Sequence, residues 1–236
     1  MPRCCPVCCN SFDIRARARY SGIREGTMRV AIPKKTVYRL SVYLRCLERL
    51  AENGVQTASS HALAQAAGVK PTQLRKDLTS FGHFGTRGLG YNVVTLREKI
   101  AEVLGRTQLQ PVVLVGVGHL GSALLAYKGF EKESFEIVAG FDVDVKRKRR
   151  KTYVQPILPL DKLENFVRPR KIRMGIVTVP TSAAQDVANR LVAAGVNAIL
   201  NFAPIVLRVP NNVVISNVNL AIELENLSYF RSLAEG

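Results

Sequence analysis

Between residues 34 and 52 the apolar positions Val37, Leu40, Leu44, Leu47 and Ala51 recur at three- and four-residue steps, the spacing of one buried helix face. Asn53-Gly54 closes that helix with residues that tolerate a left-handed cap. Ser59 or Ser60 then caps a short helix containing Leu63, Ala64 and Ala67, which ends at Gly68, and Pro71 suits the first turn of a third helix. A further helical pattern, Leu96, Ile100, Val103 and Leu104, runs to Gly105. Beyond it the periodicity changes. Val112-Val113-Leu114-Val115 is a continuous β-rich run, the mark of a strand buried on both faces. Strands are expected at 135–141, 172–179 and 196–201, with helices after Gly121 and over 181–194, the latter capped by Gly195. This alternation predicts an α/β chain with a doubly wound parallel sheet and right-handed crossovers. A last helical stretch, 218–230, aligns Leu220, Leu224 and Leu227.

The 236 residues suit one large domain or two ordinary ones. Apolar residues make up 47% and no run approaches the ~20 needed to cross a bilayer, which speaks against a membrane protein. The 34 Lys+Arg against 18 Asp+Glu, a net +16, favour a polyanionic partner. Residues 1–105 carry +10 of this and residues 106–236 carry +6. Cys4, Cys5, Cys8 and Cys9 fall in the first nine residues and Cys46 in a helical pattern. Four thiolates can complete a metal site, but the flanking turn of a folded ribbon is missing. The first 30 residues read instead as an extension, disordered or preceding a later start at Met28. The long cysteine-poor remainder points to a reducing, cytoplasmic compartment.

Two short helices joined at Ala67-Gly68-Val69 read as a helix-turn-helix, whose second helix can enter a major groove. Gln73, Arg75 and Lys76 are the candidates for base edges and phosphates, although three polar residues in four positions also suit a solvated face. The next stretch favours DNA. Residues 81–91, FGHFGTRGLGY, can form a tight β-turn with Thr86 and Arg87 at its tip, and an Arg is favoured by the negative potential of a narrow minor groove.

The second half offers a nucleotide site. Gly116-Val117-Gly118-His119-Leu120-Gly121 lies between a strand and a helix, where glycines permit close approach of a pyrophosphate and the helix start supplies N–H groups. Asp142 stands 26 residues after Gly116 at the end of the next strand, where it can accept ribose hydroxyls and repel a 2′-phosphate, favouring NAD over NADP. The six cations 146–151 are compatible with a 2′-phosphate, a DNA contact or a solvated loop. Thr178, Pro180, Asn201, Phe202 and Pro204 lie at the carboxyl ends of strands, where ligands of such sheets collect. An oxidoreductase needs an acid/base group beside the hydride acceptor, and none of His61, His83 and His119 is suitably placed. A non-enzymatic role is therefore expected, with a dehydrogenase or a CoA-binding module as alternatives.

The segments QLRKDLTSFG, GTRGLGY, GVGHLGSAL, FDVD, TVP and NFAP occur in an order that resembles the Rex redox-sensing transcriptional repressors, over roughly residues 31–230. The resemblance implies a winged-helix DNA-binding domain over 31–105 and a Rossmann NAD(H)-binding domain over 106–217. A C-terminal helix over 218–236 would be exchanged between the subunits of a homodimer. It further implies an inverted-repeat DNA operator, released when NADH rises relative to NAD. Tyr127 would lie near the nicotinamide. Three departures accompany the likeness: the extra first 30 residues, Val145 and the cations where a Pro and a Gly-containing turn are expected, and Asn219 where an acid would pair with an Arg such as Arg45. Charge-assisted bonds are roughly twice as strong as neutral ones, so Asn219 predicts a weaker switch.

Overall fold

The structure, a computed structural model, describes residues 32–82, 84–85, 89–145 and 154–234. Its first helix, α1 (Lys34–Glu52), buries Thr36, Leu40, Tyr43, Leu44 and Leu47. The inner face is thus rotated from the expected one: Val37 is 40% exposed and Tyr43 is fully buried. A buried Tyr needs a partner for its hydroxyl, and Tyr43 Oη finds one 2.8 Å away on Asp77. After the turn at Gly54 (φ +74°), Ser59 rather than Ser60 caps α2 (Ser60–Ala66), accepting the Ala62 N–H at 3.0 Å. Gly68 (φ +66°) turns the chain into α3 (Pro71–Thr79), with Pro71 in the first turn. Strand β1 (Thr57–Ala58) pairs antiparallel with β2 (Tyr91–Asn92), so the ends of the segment between them are drawn together. Asn92 Oδ1 then accepts the Thr95 N–H and starts α4 (Val93–Val103). Leu40, Leu44, Leu47, Leu63, Leu74, Leu78, Leu96 and Ile100 form one core among these helices. Each such burial is worth about 1.5–3 kcal/mol.

The second half is a six-stranded, all-parallel sheet. Its elements are β3 (Gln110–Val115), α5 (His119–Ala126), α6 (Gly129–Lys132), β4 (Phe135–Asp142), β5 (Ile157–Pro159), α7 (Leu163–Val167), β6 (Met174–Val177), α8 (Thr181–Ala193), β7 (Ala198–Asn201), β8 (Val214–Asn217) and α9 (Leu220–Ala234). Strand order is β5-β4-β3-β6-β7-β8, the doubly wound arrangement whose direction of build reverses between β3 and β6. One face packs Val112, Leu114, Ile137 and Ile176 on Leu125 of α5. The other packs Val113, Val115, Phe141 and Val177 on Leu163, Val187 and Leu191. Both faces of β3 are therefore buried, as its unbroken apolar run requires. Strands β6 and β7 are shorter than expected. Neither β5, α7 nor β8 was expected, because three to five residues at a sheet edge carry no measurable period.

Helix α9 begins two residues later than its pattern, because Asn219 Oδ1 accepts the Ala221 and Ile222 N–H groups at 3.0 and 3.4 Å. Its Leu220, Leu224, Leu227, Tyr229, Phe230 and Leu233 are all more than half exposed. Among the described residues, no helix is long and apolar enough to cross a membrane, and no group of His, Cys, Asp and Glu is arranged to hold a metal. The four N-terminal cysteines lie outside the described residues.

Candidate cofactor and nucleic-acid sites

Strand β3 delivers its chain into the glycine loop at the switch point of the sheet, and two of the three glycines are demanded by packing. Gly116 has φ +99°, and a Cβ there would stand 2.7 Å from the Thr178 carbonyl. A Cβ on Gly121 would meet the Gly116 carbonyl oxygen. Gly118 differs: a Cβ there would meet nothing within 4 Å. The open side of the loop thus lies at Gly118, which precedes α5 without a side chain to cap its first N–H groups. Uncapped donors and the helix dipole favour an anion at this place. Val117 turns its side chain into the core, whereas His119 and Leu120 are exposed.

The carboxylate of Asp142 closes the loop from β4. Its Oδ2 accepts the Val117 N–H at 2.7 Å and its Oδ1 the Asp144 N–H at 2.9 Å. An ionised carboxylate has about four acceptor positions, so among the described residues two remain for ligand hydroxyls. These residues fit a dinucleotide: an open glycine at a helix start, with an acceptor on the neighbouring strand.

The strand-end residues divide by role. Thr178 Oγ1 donates to the carbonyls of Gly116 (2.7 Å) and Val115 (3.1 Å), tying the end of β6 to the loop. Pro180 is exposed and precedes α8. Asn201 is fully buried. Its Nδ2 donates to the Ala203 and Ile205 carbonyls and to Asn217 Oδ1, and its Oδ1 accepts the Ala203 N–H. It holds the turn that presents half-buried Phe202. Tyr127 follows α5, is 60% exposed, and packs edge-on against Phe130 at 5.1 Å between ring centroids. A Cβ on Gly129 would strike the Tyr127 ring, so that glycine makes room for it.

In the helical half, Arg75 and Lys76 are exposed on α3, and Arg75 donates to Ser60 Oγ at 3.0 Å. Gln73 is half-buried and donates through Nε2 to Asp77 Oδ1 at 2.8 Å. Thr86 and Arg87 lie outside the described residues. Sequence reasoning passed over the strongest polar constellation, that around Asp77, only 2% exposed. Arg39 donates to both its oxygens, at 2.6 and 2.7 Å, and Tyr43 and Gln73 add a bond each. Burial alone would push the Asp77 carboxyl up. The bonds from Arg39, Tyr43 and Gln73 outweigh it and hold that carboxyl below the usual range. Burial, with the bond to Asp77 second, pushes the Tyr43 phenol up. The only local signal was the helical i,i+4 pair Gln73 and Asp77, because Arg39 is 38 positions away.

Arg45 and Asn219 do not meet within one chain. Arg45 reaches Glu133 at 3.5 Å, and Asn219 caps its own helix. Glu133, just after α6, also pairs with Arg106 at 3.0 Å, and Arg106 reaches Glu48 on α1 at 3.3 Å. This cluster links the helical half to the turn after Tyr127.

Comparison with known proteins agrees with both halves. Residues 31–79 match the family described as "Putative DNA-binding protein N-terminus", and residues 107–205 match the CoA binding domain. The chain is 50% identical over 198 residues to the redox-sensing transcriptional repressor Rex of Carboxydothermus hydrogenoformans, covering 84% of this chain and 95% of that protein. It is 44% identical over 213 residues to Rex of Streptomyces coelicolor, covering 90% and 83%. Among solved structures it is similar to RSP in complex with beta-NAD+ and operator DNA (TM-score 0.79, 37% identity, 86% of this chain and 94% of that one). It is also similar to RSP in complex with beta-NADH (TM-score 0.78, 35% identity, 88% and 97%). With half of 198 aligned residues identical across 95% of a curated relative, and a similar arrangement in space, the chain belongs to the Rex family of redox-sensing transcriptional repressors.

Proposed function

We propose that this chain binds an inverted-repeat DNA operator as a cytoplasmic homodimer and leaves it when NADH occupies the glycine loop. The observation that carries the reading is the loop itself: tight at Gly116 and Gly121 and open at Gly118, beside uncapped α5 and Asp142. Gly118, His119 and Leu120 would hold the pyrophosphate, and Asp142, fixed to the loop by the Val117 N–H, the adenosine ribose. Tyr127, Pro180 and Phe202 stand toward the nicotinamide end, while Thr178 and Asn201 keep the strand ends in place. Residues 31–105 carry the DNA contacts, through Gln73, Arg75 and Lys76 of α3 and through Thr86 and Arg87 of the wing.

Dimer formation is supported by α9, whose apolar side chains stay half or more exposed among the described residues. Covering them on a second subunit would carry Asn219 across to that subunit, where Arg45 is its candidate partner. The switch follows from differential affinity. One arrangement of the paired subunits sets two α3 helices about 34–36 Å apart, one turn of duplex. To clear the operator fully, NADH must prefer the other arrangement by roughly 10⁴-fold. Oxidised nicotinamide is charged and flat, and discriminates less.

An electrophoretic shift on an inverted-repeat probe, titrated with NADH and NAD side by side, tests the proposal. Release by NADH at concentrations where NAD leaves the complex intact is expected. Retention of the probe at saturating NADH overturns it. The match of residues 107–205 to the CoA binding domain favours one other ligand. Thermal stabilisation by NADH and none by CoA decides between them.

A further inference from the structure

The Asp77 carboxylate makes four hydrogen bonds, two at each oxygen: Arg39 Nε and Tyr43 Oη at Oδ2, Arg39 Nη2 and Gln73 Nε2 at Oδ1. Four bonds fill its acceptor capacity. Asp77 is also 2% exposed, so it cannot itself touch DNA. Arg39 is steadied in turn by Thr36 Oγ1 at 3.1 Å. The carboxylate is therefore fixed by α1, and what it does on the outer side of α3 is done through Gln73.

We infer that Asp77 is a specificity-determining positioning residue, which locks the Gln73 side-chain amide in one orientation so that it reads an adenine. The inference rests on the proposed entry of α3 into the major groove. An ionised carboxylate only accepts, so it admits the NH₂ end of Gln73 and turns away the carbonyl end. That choice fixes the flip of the amide. Gln73 Oε1 has no hydrogen-bond partner among the described residues, and Nε2 keeps its second hydrogen. A donor beside an acceptor is the pair that adenine requires, through N7 and the N6 amino group. An amide fixed beforehand also loses less freedom on binding than one that must be ordered. Arg75, which donates only to the neutral Ser60 Oγ, and Lys76, exposed on the same helix, have no carboxylate to hold them among the described residues and are left to phosphates or to guanine.

The test is a set of operator variants, each half-site pair changed in turn, bound to the full-length protein, Gln73→Ala, Asp77→Asn and the double variant Arg39→Met/Asp77→Asn. The double variant removes the ion pair as a unit and guards against unfolding from an unpaired, part-buried Arg. The wild type should prefer A·T at one pair by about 5- to 150-fold, the worth of a good bidentate contact. Gln73→Ala and the Asp77 variants should flatten that same pair and leave the others ranked as before. A general loss of scaffold would weaken all pairs alike, and that outcome overturns the inference. So does an unchanged preference in Asp77→Asn. A wild type that binds no operator overturns the proposed function together with it. One measurement needs no variant: side-chain amide relaxation by NMR on the free protein. A Gln73 order parameter near the rigid-backbone value of about 0.85 is expected, and one below about 0.6 would refute the lock.

Discussion

Gly118 and Gly121 belong to one motif yet answer to different forces, and substitution separates them. At Gly121 a methyl group runs into the Gly116 carbonyl, so Gly121→Ala should cost about 1–3 kcal/mol and lower the melting temperature by several degrees. At Gly118 nothing stands within 4 Å of an added Cβ, and Gly118→Val should melt closer to the wild type than Gly121→Ala does in the absence of ligand. The same variant should lose the stabilisation that NADH confers on the wild type, as differential scanning fluorimetry would show. Acid stability is a second matter of single residues. Asp77 is held below its usual range despite its burial, and the bond from Arg190 holds Glu164 down likewise. Each takes up a proton less readily folded than unfolded, so the stability they add is present above the ordinary carboxylate values, about 3.9 and 4.3. It is lost as the pH falls below them. Melting temperatures taken from pH 7 to pH 2.5 should stay level to about pH 4.5 and then drop, and Asp77→Asn should shrink the drop.

Elements show the same division between what is satisfied inside the chain and what is not. Helices α1 and α4 pack inward on a shared core, whereas α9 displays a run of leucines and aromatics to solvent. Exposed apolar area of that extent marks an interaction surface. On the proposed homodimer, Leu224→Glu with Leu227→Glu should convert dimer to monomer in sedimentation velocity, with far-ultraviolet circular dichroism preserved apart from α9. A dimer that survives both charges would remove α9 from the interface.

Over the whole molecule, the contact of most consequence is the cluster of Arg106 with Glu48 and Glu133. The Arg106 side chain is 11% exposed and its Nε is buried without a partner among the described residues, while its terminal nitrogens are held by these two carboxylates and the Lys132 carbonyl. One side of this cluster lies on α1, which braces Asp77; the other lies just after α6, whose Phe130 packs on Tyr127. Arg106→Gln should loosen the joint while leaving each core intact. Calorimetry should then show two separated unfolding steps where the wild type shows one coupled transition. Hydrogen exchange should rise at residues 45–48 and 131–134 before it rises elsewhere.

The amino-acid order by itself determined the periodic elements and the local motifs. Leu40, Leu44 and Leu47 announce a helix because 3.6 residues make a turn, Val112–Val115 announces a buried strand because both its faces are apolar, and glycines between strand and helix announce a close backbone approach. Only the tertiary structure decided which polar groups meet. Asp77 looked like any acid on a helix until α1 brought Arg39 and Tyr43 across to it, and the strand-end positions of Thr178 and Asn201 did not announce the hydrogen bonds that they make within the chain. Periodicity is a property of neighbours along the chain. Hydrogen bonds and ion pairs between distant residues depend on how helices and strands are stacked, and local spacing does not encode that.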